Sequence, residues 1–560
     1  MPKRYLVTAA LPYSNGRLHV GHIGGAYLPA DSYVRYLRAR GEDVCFVCGS
    51  DDNGVAIEIS ASHAKTTPQE ISARFNERQK LDFAGLRIEF DVYGGTHQPG
   101  FVKLHEQFSQ EFFKRIYEKG YFTKRSTKQL YDPQADRFLP DRYVRGTCHH
   151  CNEPGATGDQ CEACGQMIDP LLLINPISEI TGQPAEVRET THWYLRLNDF
   201  EKPLHEWLQS KQAHWRPSVI KFALGQIKQG LPERSMTRDI VWGVPVPLDD
   251  PDASGKVLFV WFDAPIGYIS FTAKLCGRTE GDWHAYEKWW SDPDTAIVHF
   301  IGEDNTVFHA LIWPAMLMAD GRHQLPFNVV ANNFINFRLS GDEAKVSKSK
   351  TPEQSPVWIE EYLKRFDPDA LRYYLTAIAP ENAKTTFDPQ DFVTRNNGEL
   401  VAAFGNFVNR TLAFAAKYFD GKVPDAAAQT DADRAHLALA EEALKKVGRN
   451  IEQHRYRVAL EEVMAFARAC NHYFGVREPW RTRKENLTDC AASLATCIHA
   501  VHYLAVLAYP FMPGAAEKML SMLGVSGKTI RWEPPTPLPA GHTLRQPAIL
   551  FEKLEPGCMD

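Results

Sequence analysis

Residues 10–22 read ALPYSNGRLHVGH, and this stretch decides the fold because of what stands on either side of it. Residues 3–11 (KRYLVTAAL) are rich in strand-forming side chains, and residues 23–40 have a helical composition that ends at Gly41, a typical helix stop. Residues 43–50 (DVCFVCGS) predict a second, buried strand. A strand, a loop, a helix and a strand in this order favour an α/β fold with a parallel sheet of the dinucleotide-binding (Rossmann) type.

Two histidines lie where this loop enters the helix. His19 and His22 are three residues apart, so their imidazoles share one helix face and can donate to one phosphate group. The first turn of a helix also presents free N–H groups and a positive dipole end, which favour phosphate. Gly21 lets a nucleotide base approach the backbone. Taken alone, the pair is also compatible with two capping histidines.

A second signature, KVSKS, places Lys345, Ser347 and Lys348 in a loop that contains glycine and serine. Two such lysines can neutralise charge as pyrophosphate leaves, although an ordinary solvated loop has the same composition. Together and in this order, HVGH after the first strand and KVSKS late in the sheet domain resemble the signatures of the class I aminoacyl-tRNA synthetases.

Further segments extend the resemblance over nearly the whole chain. Methionyl-tRNA synthetases are similar to it in GSDDNGVAIE, FLPDRYVRGTC, VWFDAPIGYISFT, HFIGEDNTVFHALIWPAML and LRYYL. The resemblance implies attack of the methionine carboxylate on the α-phosphate of ATP, with release of pyrophosphate, and then transfer of methionine to the 3′-terminal adenosine of tRNA(Met). The catalytic residues that it implies are His19, His22, Lys345 and Lys348.

The resemblance also implies the binding residues of both small substrates. For ATP, which would carry Mg²⁺, they are Gly21, Asp304, Ser347 and Lys348, with Asp304 placed to bind the ribose hydroxyls. For methionine they are Leu11, Tyr13, Asp51, Trp261, Ala264, Pro265, Tyr268 and His309.

The chemistry of these residue types suits methionine. Asp51 ends the second predicted strand and can pair with the substrate ammonium. Tyr13, Trp261 and Tyr268 can wall the side chain, because contacts between sulfur and aromatic rings are favourable. The methionine carboxylate is already ionised at neutral pH, so the first step needs no general base and depends on positioning and charge stabilisation.

Four cysteines form the strongest local metal signal. Two CxxC pairs, nine residues apart, can close a tetrahedral thiolate site for one structural Zn²⁺. Four thiolates leave no open position, so we expect no catalytic role for this metal. The predicted ligands are Cys148, Cys151, Cys161 and Cys164.

The second half of the chain carries a candidate RNA-binding set. Asn406 and Arg410 are four residues apart on one helix face, and Pro479-Trp480 is followed by several cations. An exposed Trp near cations can stack an unpaired base, although a core Trp and a salt-bridged Arg would give the same pattern. By resemblance, Asn406, Arg410, Pro479 and Trp480 read the CAU anticodon.

These patterns predict a Rossmann-type catalytic domain with a zinc-knuckle insertion, followed by an α-helical anticodon-binding domain. The predicted boundaries are 1–119 for the first catalytic half, 120–246 for the insertion, 247–330 for the second half, 331–389 for the linker with KVSKS, 390–535 for the helical domain and 536–560 for a C-terminal tail. Within them, residues 257–262, 296–302 and 328–337 are predicted strands.

Bulk properties agree with a multidomain globular enzyme. The 560 residues are 44% hydrophobic and 24% charged, and the net charge of −6 argues against a general nucleic-acid binder while allowing local basic faces. No secretory signal is visible, and the apolar run at residues 490–509 contains His499 and His502, which favours a buried bundle helix. We expect a cytoplasmic protein without a membrane span. We also expect a monomer, because some family members continue into a C-terminal dimerisation barrel that this sequence lacks.

Three positions depart from the family pattern, and two alternatives remain. Val346 replaces a methionine, Asn53 stands where His is common, and Glu303 stands where Lys is common, which puts one phosphate contact in doubt. One alternative is a class I synthetase for another amino acid, although the insertion is too short for a typical editing domain. The other is a non-catalytic tRNA-binding relative.

Overall fold

A computed structural model describes residues 2–140, 143–158, 161, 164, 168–339, 342–344, 354–525 and 529–559. The predicted Lys345, Ser347 and Lys348, and the substituted Val346, lie outside the described residues.

Within the described residues the strands form five sheets of two to five strands each. In chain order they are β1 (Arg4–Ala9), β2 (Asp43–Ser50), β3 (Val92–Gly95), β4 (Phe122–Asp132), β5 (Arg137–Phe138), β6 (Val144–Thr147), β7 (Ala156–Thr157), β8 (Ile174–Ser178), β9 (Glu186–Leu195), β10 (Arg234–Ser235), β11 (Thr237–Arg238), β12 (Val257–Leu258), β13 (Thr295–Gly302), β14 (Asn328–Asn332), β15 (Ile335–Leu339), β16 (Asp342–Ala344) and β17 (Thr385–Phe387).

The helices lie between these strands and then form the C-terminal part of the chain. They are α1 (Val20–His22), α2 (Leu28–Ala39), α3 (Val55–His63), α4 (Pro68–Gly85), α5 (Val102–Glu118), α6 (Glu201–Ser210), α7 (Pro217–Gln229), α8 (Val260–Thr279), α9 (Glu287–Trp290), α10 (Trp313–Asp320), α11 (Ile359–Leu363), α12 (Pro368–Ala377), α13 (Pro389–Arg395), α14 (Asn406–Tyr418), α15 (Asp431–Glu452), α16 (Tyr456–Arg477), α17 (Pro479–Glu485), α18 (Leu487–Ala508) and α19 (Pro513–Met522). Three π-helical segments, Ile23–Tyr27, Phe308–Ile312 and Asn396–Gly405, continue into α2, α10 and α14.

The central sheet is parallel and has the strand order β14-β13-β1-β2-β3. Its strands are buried on both faces, and successive side chains of β1 enter different cores: Leu6 packs with α5 and α8, and Val7 packs with α2 and the helical domain. The chain leaves β1 in one direction towards β2 and returns on the other side at β13. The carboxyl ends of these three strands therefore flank a topological switch point, where α/β proteins bind ligands.

The structure confirms β1, β2 and β13 as predicted strands and corrects two others. Residues 257–262 were expected to form a strand, but only Val257–Leu258 is extended and α8 begins at Val260. Residues 328–337 form two strands, β14 and β15, which belong to different sheets.

The chain between the two halves of the central sheet has its own architecture. The long antiparallel pair of β4 and β9 leads to a small sheet, β7-β6-β8, which carries the cysteines. A separate small apolar cluster that includes Cys148 and Cys161 forms the core of this part.

From Pro389 to Met522 the described chain is almost wholly helical, and residues 529–559 follow without a helix. Helix α18 is long and apolar enough to cross a membrane, but 89% of its most apolar window is buried inside the protein. Its apolar side chains pack against α14, α15 and α16, so α18 is the core helix of this bundle, as the sequence predicts.

Candidate active site

A cavity of about 400 Å³ lies at the carboxyl ends of β1, β2 and β13. It brings together every predicted catalytic, ATP-binding and methionine-binding residue that the structure describes. These residues are Leu11, Tyr13, His19, Gly21, His22, Asp51, Trp261, Ala264, Pro265, Tyr268, Asp304 and His309.

His19 and His22 cap the first helix turn for each other. Nδ1 of His19 accepts from the backbone N–H of Gly21 at 3.1 Å, and Nδ1 of His22 accepts from the N–H of His19 at 3.2 Å. The two rings stack with their centroids 3.6 Å apart. Because both Nδ1 atoms accept, each neutral ring carries its proton on Nε2, and two N–H donors stand side by side. His19 and His22 can therefore cap the helix through Nδ1 and still bind phosphate through Nε2, so the two interpretations are compatible.

Position 21 has no room for a side chain, which explains why a glycine occurs there. A Cβ atom at this position would lie 3.0 Å from the His19 ring and 3.3 Å from the carbonyl oxygen of Ile335. A substitution would therefore separate the two stacked rings or push the helix away from β15. The glycine thus keeps both histidines and the backbone at the edge of the cavity.

Asp51 stands at the end of β2 and is almost fully buried. The loop after β1 continues the pairing with β2 up to this residue, since the N–H of Asp51 donates to Pro12 O at 2.9 Å and the N–H of Ser14 donates to Asp51 O at 3.0 Å. Burial, and after it the negative charges of Asp263 and Asp52, raise the pKa of Asp51 well above its usual range. A buried carboxyl of this kind favours a cationic ligand, which restores its ionised form.

Tyr268 and His309 form a polar pair in the otherwise aromatic part of the cavity. The Tyr268 hydroxyl lies 3.1 Å from His309 Nε2, and His309 Nδ1 lies 3.3 Å from the carbonyl oxygen of Asn305. Burial lowers the pKa of His309 to about 4, so the ring is neutral at physiological pH. Trp261 meets the ring of Phe308 edge-on at 5.4 Å. An uncharged aromatic wall with one hydroxyl–imidazole pair suits a thioether chain.

Several lining residues were not predicted from the sequence. Phe308, Phe334 and Ile335 line the cavity, as do Asn15 and Arg17 from the first loop. The residues after β14 could have been found from the rule that loops at the carboxyl ends of parallel strands form the site.

Glu303, one of the three departures, has a cationic neighbour. Nζ of Lys384 lies 3.6 Å from Oε1 of Glu303 and 5.6 Å from the ring centroid of Phe334, which lines the cavity. A positive charge therefore stands near the position where the family lysine is absent.

The four predicted zinc ligands converge. Their sulfur atoms all lie within 4.8 Å of one another, and Cys148–Cys164 and Cys151–Cys161 are 4.0 and 3.7 Å apart. A Zn–S bond of about 2.3 Å in tetrahedral geometry requires sulfur atoms about 3.8 Å apart. The cluster therefore fits a metal ion of this kind.

The predicted anticodon residues lie in the helical domain. Arg410 on α14 places its guanidinium carbon 5.9 Å from the ring centroid of Trp480 and 4.6 Å from that of Phe474. Trp480 is 45% exposed, whereas Pro479 is buried and begins α17. Asn406, four residues before Arg410, is exposed at the start of α14.

Comparison with known proteins agrees with this geometry. A family model described as tRNA synthetases class I (M) matches residues 5–412. The chain belongs to the class I methionyl-tRNA synthetase family. A second model, the anticodon binding domain of methionyl tRNA ligase, matches residues 423–557 of this synthetase.

Relatives and solved structures of the same family cover nearly the whole chain. The methionine–tRNA ligase of Pyrococcus furiosus is 44% identical over 98% of this chain and 75% of its own length, and that of Bacteroides fragilis is 44% identical over 99% and 79%. A crystal structure of Mycobacterium tuberculosis methionyl-tRNA synthetase bound by methionyl-adenylate superimposes with a TM-score of 0.79, at 26% identity, over 98% of this chain and all of that one. These matches support a methionyl-tRNA synthetase and neither of the two alternatives.

Proposed function

We propose that this chain activates L-methionine with ATP and transfers it to the 3′-terminal adenosine of tRNA(Met). The observation that carries the proposal is that twelve residues predicted from separate sequence motifs line one cavity at the switch point of the sheet. This cavity can hold an amino acid and a nucleotide end to end, because it extends from the buried Asp51 to the paired histidines of the first helix turn.

Asp51 and the aromatic wall position methionine in the first step. The Asp51 carboxylate pairs with the substrate ammonium, and Tyr268 and His309 face its side chain together with Trp261. Leu11, Tyr13, Ala264 and Pro265 complete the pocket. The methionine carboxylate is thereby directed to the α-phosphate of ATP, so that proximity supplies a large part of the rate.

His19 and His22 stabilise charge on the phosphates. Their Nε2–H groups would donate from one side to the charge that develops on the phosphates. Asp304, in the turn after β13, would accept from the ribose hydroxyls, and Gly21 leaves room for the base. Lys345 and Lys348, with Ser347, would receive the departing pyrophosphate. Mg²⁺ bound with ATP would supply further charge neutralisation.

The remaining parts of the chain would serve the tRNA. Cys148, Cys151, Cys161 and Cys164 would hold one structural Zn²⁺, which would keep the insertion rigid. Asn406, Arg410, Pro479 and Trp480 would read the anticodon, with Trp480 stacking on an unpaired base. We further propose a cytoplasmic monomer, and light scattering after size exclusion tests the oligomeric state.

Amino-acid-dependent exchange of pyrophosphate into ATP tests the proposal. We expect exchange with methionine and with none of the other nineteen amino acids, followed by charging of tRNA(Met). Exchange with another amino acid would keep the two-step chemistry and overturn the methionine pocket. Absence of exchange from folded, zinc-loaded protein would favour the non-catalytic alternative.

A further inference from the structure

A second buried carboxyl lies behind Asp51. Asp263 is in the first turn of α8, between cavity residues Trp261 and Ala264, and its side chain has no solvent exposure. It faces α5, where Nε2 of His105 lies 3.2 Å from its Oδ2. Its other oxygen, Oδ1, is buried and has no hydrogen-bond partner among the described residues. An unpaired oxygen on a buried carboxyl is costly, and here the carboxyl also lies next to residues that line the cavity.

Asn53 connects this carboxyl to Asp51. Its amide Nδ2 donates to Asp263 Oδ2 at 2.7 Å, and its backbone N–H donates to Asp51 Oδ1 at 3.4 Å. Its side-chain oxygen lies 3.0 Å from Nδ1 of His97, whose ring stacks on Trp242. The side chain of Asn53 is therefore held at both ends, and one residue fixes the relative position of two carboxyls.

The neighbouring Asp52 has a different environment. Its Oδ1 accepts from the Ser50 hydroxyl at 2.5 Å, and its Oδ2 accepts from the backbone N–H of His97 at 2.9 Å. Both oxygens of Asp52 therefore accept hydrogen bonds within the described fold, whereas only Oδ2 of Asp263 has such partners.

We propose that Asp263 is a positioning residue for the substrate ammonium, acting through Asn53 and Asp51 and adding negative charge behind the cavity. The inference rests on the proposed function, since it assumes that Asp51 binds the ammonium of methionine. Asp263 itself does not line the cavity, so it would act on the substrate only through its neighbours. It holds Asp51 in place through Asn53, and its charge makes the end of β2 more favourable for a cation.

The electrostatics of the cluster agree with this geometry. Burial and the neighbouring carboxyls raise the pKa of Asp51, and burial raises the pKa of Asp263 while the hydrogen bond and charge of His105 oppose that rise. The titratable groups around Asp263 are His105 from α5, His97 from the loop after β3, and Asp51 and Asp52 after β2. The same negative potential that raises the pKa of Asp51 attracts the ammonium.

The variant Asp263→Asn tests the inference because it removes the charge and keeps the shape and one acceptor oxygen. Binding of two ligands is compared by calorimetry: L-methionine, and 4-(methylthio)butanoate, which has the same skeleton without the amino group. We expect methionine to bind about tenfold more weakly, the effect of about 1.4 kcal/mol of lost charge interaction, and the analogue to bind within about twofold of wild type. If Asp263 had only a structural role, its substitution would weaken the binding of both ligands to the same extent, and that result would overturn the inference.

The pH dependence of methionine binding provides a second readout. Protonation of Asp51 weakens binding on the acid side, and loss of the Asp263 charge lowers the pKa of Asp51. The acid limb should therefore move to lower pH in Asp263→Asn, although binding at neutral pH is weaker. An unmoved limb would contradict the proposed charge effect.

Two further variants keep the test decisive. Asn53→Ala removes the side-chain hydrogen bond between Asn53 and Asp263, so it should also weaken the binding of methionine more than the binding of the analogue. This variant replaces Asp263→Asn if Asp263→Asn does not fold. Asp320→Asn is the control, because it removes the charge of another buried Asp that pairs with a histidine, His323 at 2.7 Å, and also with Arg115 on α5, and Asp320 does not line the cavity. It should leave both affinities unchanged. Absence of methionine-dependent exchange in the wild type would overturn the proposed function itself, whereas normal exchange with unchanged binding in Asp263→Asn would overturn only this inference.

Discussion

The backbone N–H of Val20 donates to the carbonyl oxygen of Val357 at 3.0 Å. Val20 lies inside the HVGH signature, and Val357 lies eight residues after the end of KVSKS. The neighbouring His19 and Trp358 pair as an antiparallel bridge, with their rings 6.0 Å apart. The segment that follows the second nucleotide signature is thus attached to the first, which supports the assignment of both to one ATP site.

We predict that His19→Asn separates the two roles of this histidine. An Asn side chain still caps the helix turn, so the unfolding temperature should stay close to that of wild type. The lost Nε2–H removes one donor to the transition state, and exchange of pyrophosphate into ATP at saturating methionine should fall about 100-fold to 1000-fold. The exposed His284 gives the control, since His284→Asn should leave exchange unchanged. A rate for His19→Asn within threefold of wild type would refute the phosphate contact.

Metal analysis should find about one zinc per chain, and Cys161→Ser should lose it. Cys161 is buried in the small apolar core of the insertion, which is separate from the cores around the central sheet. Loss of the metal should therefore disorder the insertion while the central sheet stays folded. Charging of tRNA should therefore fall more than methionine-dependent exchange. The buried Cys276 lies outside the cluster, and Cys276→Ser should retain the metal. Full zinc content in Cys161→Ser would show that the ligand set is wrong.

Trp480→Ala should impair tRNA charging without affecting activation of methionine. The exposed ring of Trp480 lies near Arg410 in the helical domain, and Trp480 is not among the residues that line the cavity. Loss of stacking on one base costs about 1–3 kcal/mol, so kcat/KM for tRNA should fall about 5-fold to 150-fold. Val476, which is 64% exposed on α16, provides the control Val476→Ala. Equal charging by Trp480→Ala and wild type would mean that this ring does not contact the anticodon.

The sequence predicts the central strands well because they are buried on both faces and bounded by turns. It fails at residues 257–262, where an uninterrupted apolar run indicates a strand and the chain instead enters α8 at Val260. A short apolar run looks the same in a buried strand and in the first turn of a buried helix, so periodicity cannot separate them. At residues 328–337 the break between two sheets falls within a run that reads as one strand.

The site divides in a similar way. His19 and Asp51 are predicted from the sequence because a known chemistry suits their side chains, and His309 is predicted by the family resemblance; all three line the cavity. Phe334 and Ile335 line the same cavity, but only the fold brings this segment to the first helix turn, where the carbonyl oxygen of Ile335 lies beside Gly21. The sequence does not predict a role for Asp263, because the role proposed above depends on a hydrogen bond with Asn53, which is 210 residues away in the chain.

Arg372 should be among the most important residues for stability. Its side chain is fully buried on α12 and donates to Asp31 on α2 at 2.7 Å and to the carbonyl oxygens of Leu86, Pro510 and Phe511 at 2.9–3.1 Å. It therefore joins the catalytic domain to the turn between α18 and α19. Arg372→Met leaves the three carbonyl oxygens without this donor inside the protein and removes one of the two arginines that pair with Asp31, the other being Arg35. Unfolding in urea should therefore show a loss of about 3–5 kcal/mol.

The surface pair of Arg38 and Asp91, at 2.8 Å, offers a matched comparison, because Arg38→Met removes an ion pair that water already solvates. That variant should lose less than about 1 kcal/mol. Since Arg372 anchors the helical domain, Arg372→Met should also reduce tRNA charging more than methionine-dependent exchange. If the two variants lose equal stability, the buried arginine does not hold the domains together, and the orientation of the helical domain must depend on its apolar contacts with α2 and α12.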